Sequence, residues 1–375
     1  MVTFLPSRPG RLADVPSFAR AIGGAESNVA CALAAAGHRA KWVSRVGADG
    51  FGDHLVAAVG AYGVDVSAVG RDTARPTGIY FRTATDRATA AHEVAYYRAG
   101  SAASAMSPAT VPYASVADGR VLHLSGITAA LSDDCLALAR ELTAPRAGRP
   151  AVSFDVNFRP GLWRDPAAGG RILLDLARGA DLVFVGEDEA EEAWGVHGPH
   201  AVRAILPEPA VLVVKRGGAG AVVFEHGPAE AGDVSQHAPA APGDVFQHAP
   251  AAPGGRGART GPDRSPGPAA AAAPAPPVDV VTSVPAPRVD VVAAVGAGDA
   301  FAAGFLSATL RGLDVTARIR HGHLMAAAAL TVPGDLGTPA TPAHADRLAG
   351  LDDGAWERLH LGPGWTGEDQ EVRTP

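Results

Sequence analysis

Residues able to do chemistry gather most densely at 289–305, VDVVAAVGAGDAFAAGF. The β-branched run at 289–295, broken by Asp290, predicts a buried strand. Gly296-Ala297-Gly298 then interrupts it, and Asp299 opens an Ala/Phe/Leu segment of helical period. A glycine turn feeding a helix start presents backbone N–H groups at the positive end of the helix. Such an arrangement binds anions, phosphate above all. A carboxylate beside an anion site is electrostatically unwelcome unless it works there. Taking a proton from a hydroxyl that attacks a phosphate is such work. Helix capping by Asp299 is the plainer alternative; a dinucleotide turn is disfavoured because the full G-x-G-x-x-G spacing is missing.

A second glycine pair, Gly23-Gly24, leads through Ala25-Glu26-Ser27 to Asn28 and an Ala/Leu helix ending at Gly37. It allows a ligand close to the backbone of Gly24, with Asn28 one turn inside, or simply caps the helix. Between 77 and 99 the pattern turns β, with strands predicted at 78–83 and 94–98 in a small, partly exposed sheet. Tyr80, Tyr96 and Arg98 there suit a polar, anionic small molecule and equally suit cross-strand packing.

These groups need elements to position them. A short strand is predicted at 2–5, another at 41–46, and a helix at 53–62. Apolar runs at 121–125, 151–155, 182–185 and 211–215 each precede a helical or glycine-bearing stretch. Strands alternating with helices predict an α/β fold with a mostly parallel central sheet flanked by helices. Ligands of such folds bind beyond the carboxyl ends of the strands. Arg159, Glu189, the turn 215–220 and Asp299 all fall at such ends. Two helices are predicted after the turn, at about 300–311 and 316–330, followed by a C-terminal helix and a flexible tail at 361–375.

A chain of 375 residues buries a substantial core. Its formal charge of −7 gives no support for nucleic-acid binding. No run of about 18 apolar residues predicts a membrane helix, and 1–15 lacks the pattern of a signal peptide. A cytoplasmic location follows as an expectation, with Cys31 and Cys135 as buried free thiols. Residues 228–277 differ: 33 of 50 are Ala, Pro or Gly, and GDVSQHAPAAP (232–242) recurs as GDVFQHAPAAP (243–253). This composition predicts a disordered insertion, and nothing in it fixes His237 and His248 as a metal site.

GGAESNVA (23–30) and VGAGDAFAAGF (295–305) resemble the two signature regions of the ribokinase-like (PfkB) carbohydrate kinases. VAYYRAGSAASAMSP (94–108), HLSGITAALS (123–132) and VSFDVNFRPGLW (152–163) are similar to the 2-keto-3-deoxygluconate kinases within that superfamily. The likeness spans about 6–228 and 288–350. It implies a three-layer ribokinase-like fold with a β-sheet lid from about 1–20 and 75–100, in one kinase domain of 1–227 and 278–360. The activity implied is ATP-dependent phosphorylation of 2-keto-3-deoxygluconate at its terminal hydroxyl, giving 2-keto-3-deoxy-6-phosphogluconate, with Mg2+. By the same likeness Asp299 is the catalytic base, and the backbone of Gly296, Ala297 and Gly298 forms an anion hole. Gly24, Asn28, Tyr80, Tyr96, Arg98 and Arg159 meet the sugar acid, Lys215, Gly217, Gly218 and Gly220 the nucleotide, and Glu189 the metal. The lid offers a surface for a homo-oligomer.

The sequence departs from the family at three places. Ala293-Ala294 stand where Asp-Thr is usual; that aspartate helps organise a monovalent-cation site, so activation by such a cation is not expected. Gly186 stands three residues before Glu189, where Asn or Ser is common. The usual first strand with its Gly-Glu pair is largely absent, pointing to a mis-chosen start or an incomplete sheet edge. The rival functions are a kinase for fructose or ribose, and a sugar-binding protein with weakened catalysis.

Overall fold

The computed structural model describes residues 1–83, 93–227 and 278–367. The insertion, with His237 and His248, lies outside the described residues. The chain opens with β1 (Val2–Pro6) and β2 (Phe18–Ile22), then α1 (Ala25–Ala35), β3 (Ser44–Gly47), α2 (Gly50–Ala61), β4 (Val69–Asp72), β5 (Ile79–Arg82) and β6 (Val94–Tyr97). Alternation follows: β7 (Val121–Ser125), α3 (Gly126–Ala129), α4 (Asp133–Thr143), β8 (Ala151–Asp155), α5 (Pro166–Arg178), β9 (Leu182–Gly186), α6 (Glu187–Trp194), α7 (Pro199–Ile205), β10 (Val211–Lys215), β11 (Ala221–His226) and β12 (Asp279–Val284). The last part holds β13 (Arg288–Val289), α8 (Ala297–Leu310), α9 (Val315–Leu330), α10 (Pro342–Ala349), α11 (Asp353–Arg358) and β14 (His360–Leu361).

The central sheet has six strands in the order β12-β11-β10-β9-β8-β7. β7 to β10 run parallel, and β11 returns antiparallel to β10. Parallel strands covered on both faces must be apolar throughout, and β9 is: Phe184 joins a cluster with Phe301 and Phe305, while Val183 and Val185 join one with Leu173 and Leu176. Alternate side chains thus bury against α8 and α9 on one side and α5 on the other, giving the three layers. A second, four-stranded sheet has the order β2-β1-β5-β6 and is built from the segments expected to form the lid. By contacts the chain divides into Met1–Glu225 with Val281–Pro375, and a separate unit His226–Val280. Among the described residues no helix is long and apolar enough to cross a membrane. Cys31 and Cys135 are free and buried.

Three expectations need correction. The run 289–295 is not a buried strand: only Arg288–Val289 pairs, with β14, and Val291 and Val292 are 46% and 40% exposed. Its amides at Val292 and Ala293 instead bond the Leu330 carbonyl, so the chain leaves the sheet to reach α8. The tail is anchored further than expected, because Leu361 and Trp365 are buried against α8 and α9. The strand expected at 41–46 starts at Ser44, with Lys41 forming only an isolated bridge to Asp65.

Candidate active site

α8 begins one residue after Gly296, whose φ of 79° is left-handed, the region glycine enters without strain. A Cβ there would also overlap the Asp335 carbonyl oxygen, so only glycine fits. The amides of Ala297, Gly298 and Asp299 lie in the first helical turn, where N–H groups have no intrahelical acceptor. Asp299 makes no capping bond. Its carboxylate instead accepts a 2.8 Å hydrogen bond from the Asn28 side-chain amide on α1. Burial raises the Asp299 carboxyl to about 7; Asn28 and Lys215 oppose the rise, and the charges of Asp155 and Glu26 add to it. A base that changes protonation near neutrality results.

Beside this turn, the Lys215 ammonium at the carboxyl end of β10 grips both oxygens of Asp155 at the end of β8, at 3.0 and 3.1 Å. A Cβ on Gly298 would stand 3.6 Å from that nitrogen, so the cation faces the anion-binding turn. Burial works against the ammonium, but Asp155 and then Glu189 and Asp299 outweigh it and hold its pKa above the ordinary value. Asp155 is 3% exposed. Lys215→Met therefore strands a buried carboxylate, and we expect a loss of about 3–5 kcal/mol in urea unfolding.

The cleft around these groups has a volume of about 1270 Å³ and is bordered by Gly24, Asn28, Tyr80, Tyr96, Arg98 and Arg159 among others. Arg98 is half-buried, its guanidinium 5.6 Å from the Tyr96 ring. Burial depresses its pKa, partly offset by Tyr96 and Glu26. Among the described residues no hydrogen bond engages its guanidinium. Tyr80 is different: 4% exposed, it donates its hydroxyl to Asp335 at 2.5 Å. Asn28 is likewise committed to Asp299. Arg159 donates to the Phe158 carbonyl and to Glu189 at 3.1 Å.

A family profile described as pfkB family carbohydrate kinase matches residues 2–247 and 274–341. The chain belongs to that family. A 2-dehydro-3-deoxygluconokinase from Thermoproteus tenax is 36% identical over 222 residues, covering 58% of this chain and 67% of its own. One from Bacillus subtilis (strain 168) is 30% identical over 339 residues, covering 90% and 89%. The solved PfkB protein from Polaromonas sp. JS666 superposes with a TM-score of 0.69 at 30% identity, covering 94% of this chain and 97% of that one.

This pfkB kinase does not place every residue singled out from its sequence in the cleft. In the β10–β11 turn Gly217 and Gly218 are exposed, with open space around them, and Gly220 packs on β12, where a Cβ would overlap the Val284 carbonyl. Only Lys215 of that group borders the cleft. Glu189 already meets two protein donors: one oxygen takes the Gly186 amide at 3.0 Å and the other Arg159 at 3.1 Å. Among the described residues no three acidic, His or Cys groups converge as a metal cage. A magnesium ion is usually held by one or two carboxylates together with substrate phosphates rather than by an all-protein cage, and Glu189 is a carboxylate bordering the cleft. Buried Ala293 supplies no carboxylate for a monovalent cation.

Sequence reasoning missed several groups at the cleft. Asp155, Glu26 and Asp335 line it. Asn157, buried and left-handed at φ 42°, has a side-chain oxygen without a hydrogen-bond partner among the described residues. Asp155 had a signal, a carboxylate closing an apolar strand; Asp335 had none, since only tertiary packing brings it there.

Proposed function

We propose that this kinase transfers the γ-phosphoryl group of ATP to the terminal hydroxyl of 2-keto-3-deoxygluconate, giving 2-keto-3-deoxy-6-phosphogluconate and ADP. The observation carrying this reading is Asp299, a carboxylate near neutrality at the lip of an anion-binding helix start. Asp299 takes the hydroxyl proton as the oxygen forms its bond to the γ-phosphorus and the bond to the ADP oxygen breaks. The N–H groups at Ala297 and Gly298 hold the charge spread over the phosphoryl oxygens, and Lys215 adds a cation beside them. Arg98, whose guanidinium has no hydrogen-bond partner among the described residues, suits the substrate carboxylate, and relatives named for this activity support the choice of sugar acid. The kinase domain of 1–227 and 278–360, a cytoplasmic location, Mg2+ carried on the nucleotide and a lid-mediated homo-oligomer belong to the same proposal.

A coupled ADP-release assay over 2-keto-3-deoxygluconate, fructose, ribose and gluconate tests it. Turnover confined to the keto-deoxy acid is expected; preference for fructose or ribose would overturn the substrate assignment. In the same assay kcat/KM is expected to fall about tenfold per pH unit below about 7, because the base must be deprotonated and its carboxyl sits at about 7. A flat profile from pH 5 to 8 would remove Asp299 from that role.

A further inference from the structure

Glu26 lies in the first turn of α1 and borders the cleft. One of its carboxylate oxygens accepts a hydrogen bond at 2.5 Å from the Thr128 hydroxyl on α3. The other has no hydrogen-bond partner among the described residues. Two bordering groups feel its charge: it raises the pKa of Arg98 at the lid end and that of Asp299 at the phosphoryl end. Glu26 therefore borders the same cleft as the group that suits a carboxylate and the group that takes a proton, within electrostatic reach of both. A substrate reaching from Arg98 to Asp299 lies in the cleft that Glu26 borders.

We infer that Glu26 is a specificity-determining residue, a carboxylate held by Thr128 whose free oxygen accepts hydrogen bonds from the secondary hydroxyls of the sugar acid. This rests on the kinase reading above and adds the part of the substrate that reading leaves unassigned. A carboxylate only accepts, so Glu26 favours a stretch of hydroxyl donors and repels a second anionic group. Arg98 and Glu26 together then read a charge at one end and secondary hydroxyls. A substrate reversed in the cleft would set its carboxylate towards Asp299 and lose the contact with Arg98.

The test is calorimetric binding of 2-keto-3-deoxygluconate, which needs no turnover, followed by kinetics. Glu26→Ala weakens sugar-acid binding by roughly 10–100-fold, the loss of a hydrogen bond to a charged group, and Glu26→Gln restores part of it. The KM for ATP stays within about twofold, since a uniform structural effect would move both substrates. Thr128→Val, which keeps the carboxylate but frees it, gives a smaller loss confined to the sugar. An analogue lacking the secondary hydroxyls binds wild type and Glu26→Ala alike. Unchanged sugar-acid binding in Glu26→Ala, or an equal loss for the parent and the analogue, would overturn the assignment. Absence of keto-acid turnover with intact, Glu26-dependent binding would sink the kinase reading and leave this one standing.

Discussion

Asp299→Asn lowers kcat by about 10²–10⁴-fold, the usual cost of losing a positioned general base, with the KM of the sugar little changed. Asn keeps the shape of the side chain and can still meet the Asn28 amide, which holds Asp299 at 2.8 Å. A fold control comes from linkage. The Asp299 carboxyl sits at about 7 in the folded chain against an ordinary 3.8, so between those values the folded state binds more protons than the unfolded one. Stability from this group therefore falls as pH rises from about 4 through 7. The Asn variant, which does not ionise, is expected to gain in melting temperature over wild type at pH 8 and to lose that gain at pH 4. A dead enzyme that is more stable at pH 8 separates chemistry from misfolding. Near-wild-type kcat would rule the base out.

Arg98→Ala is expected to lower kcat/KM for 2-keto-3-deoxygluconate by about 10²–10³-fold, in line with the 2–5 kcal/mol typical of a truncated, desolvated charge pair. Any residual turnover of fructose or ribose should change little, because a neutral sugar gives the guanidinium no anion. The wild-type guanidinium is half-buried with no hydrogen-bond partner among the described residues, so its desolvation is already spent before substrate arrives. Comparing the variant's kcat/KM across the two substrate classes decides the matter. Equal losses on both would show that Arg98 only packs against Tyr96.

The reach of the sequence follows from what each signal measures. β8 and β10 begin and end where the apolar runs predict, because doubly buried parallel strands are marked by local composition. β2 and β4 carry mixed residues such as Arg20 and Arg71 on a half-exposed lid and a two-stranded pair, where periodicity is weak. The run at 289–295 misleads because β-branched residues record strand preference, not the availability of a partner strand. In the cleft, Gly296 and Asp299 were legible because turn, helix start and carboxylate adjoin in the chain. The Asn28–Asp299 and Asp155–Lys215 bonds join residues 271 and 60 positions apart, and no window on the chain reveals such pairs.

Asp335 joins three segments that the chemistry treats separately. Its buried carboxylate takes Tyr80 at 2.5 Å and Arg82 at 3.2 Å from lid strand β5. A Cβ on Gly23 would stand 2.6 Å from that carboxylate, and one on Gly296 would overlap the Asp335 carbonyl. Lid, sugar-side glycines and phosphoryl-side helix start are thus braced on one residue with no slack between them. In thermodynamic terms the sugar and nucleotide sites share a stiffness. That ordering cost is already met in the fold, so a substitution that loosens Asp335 hands it to both ligands, and whichever binds first then spares the other.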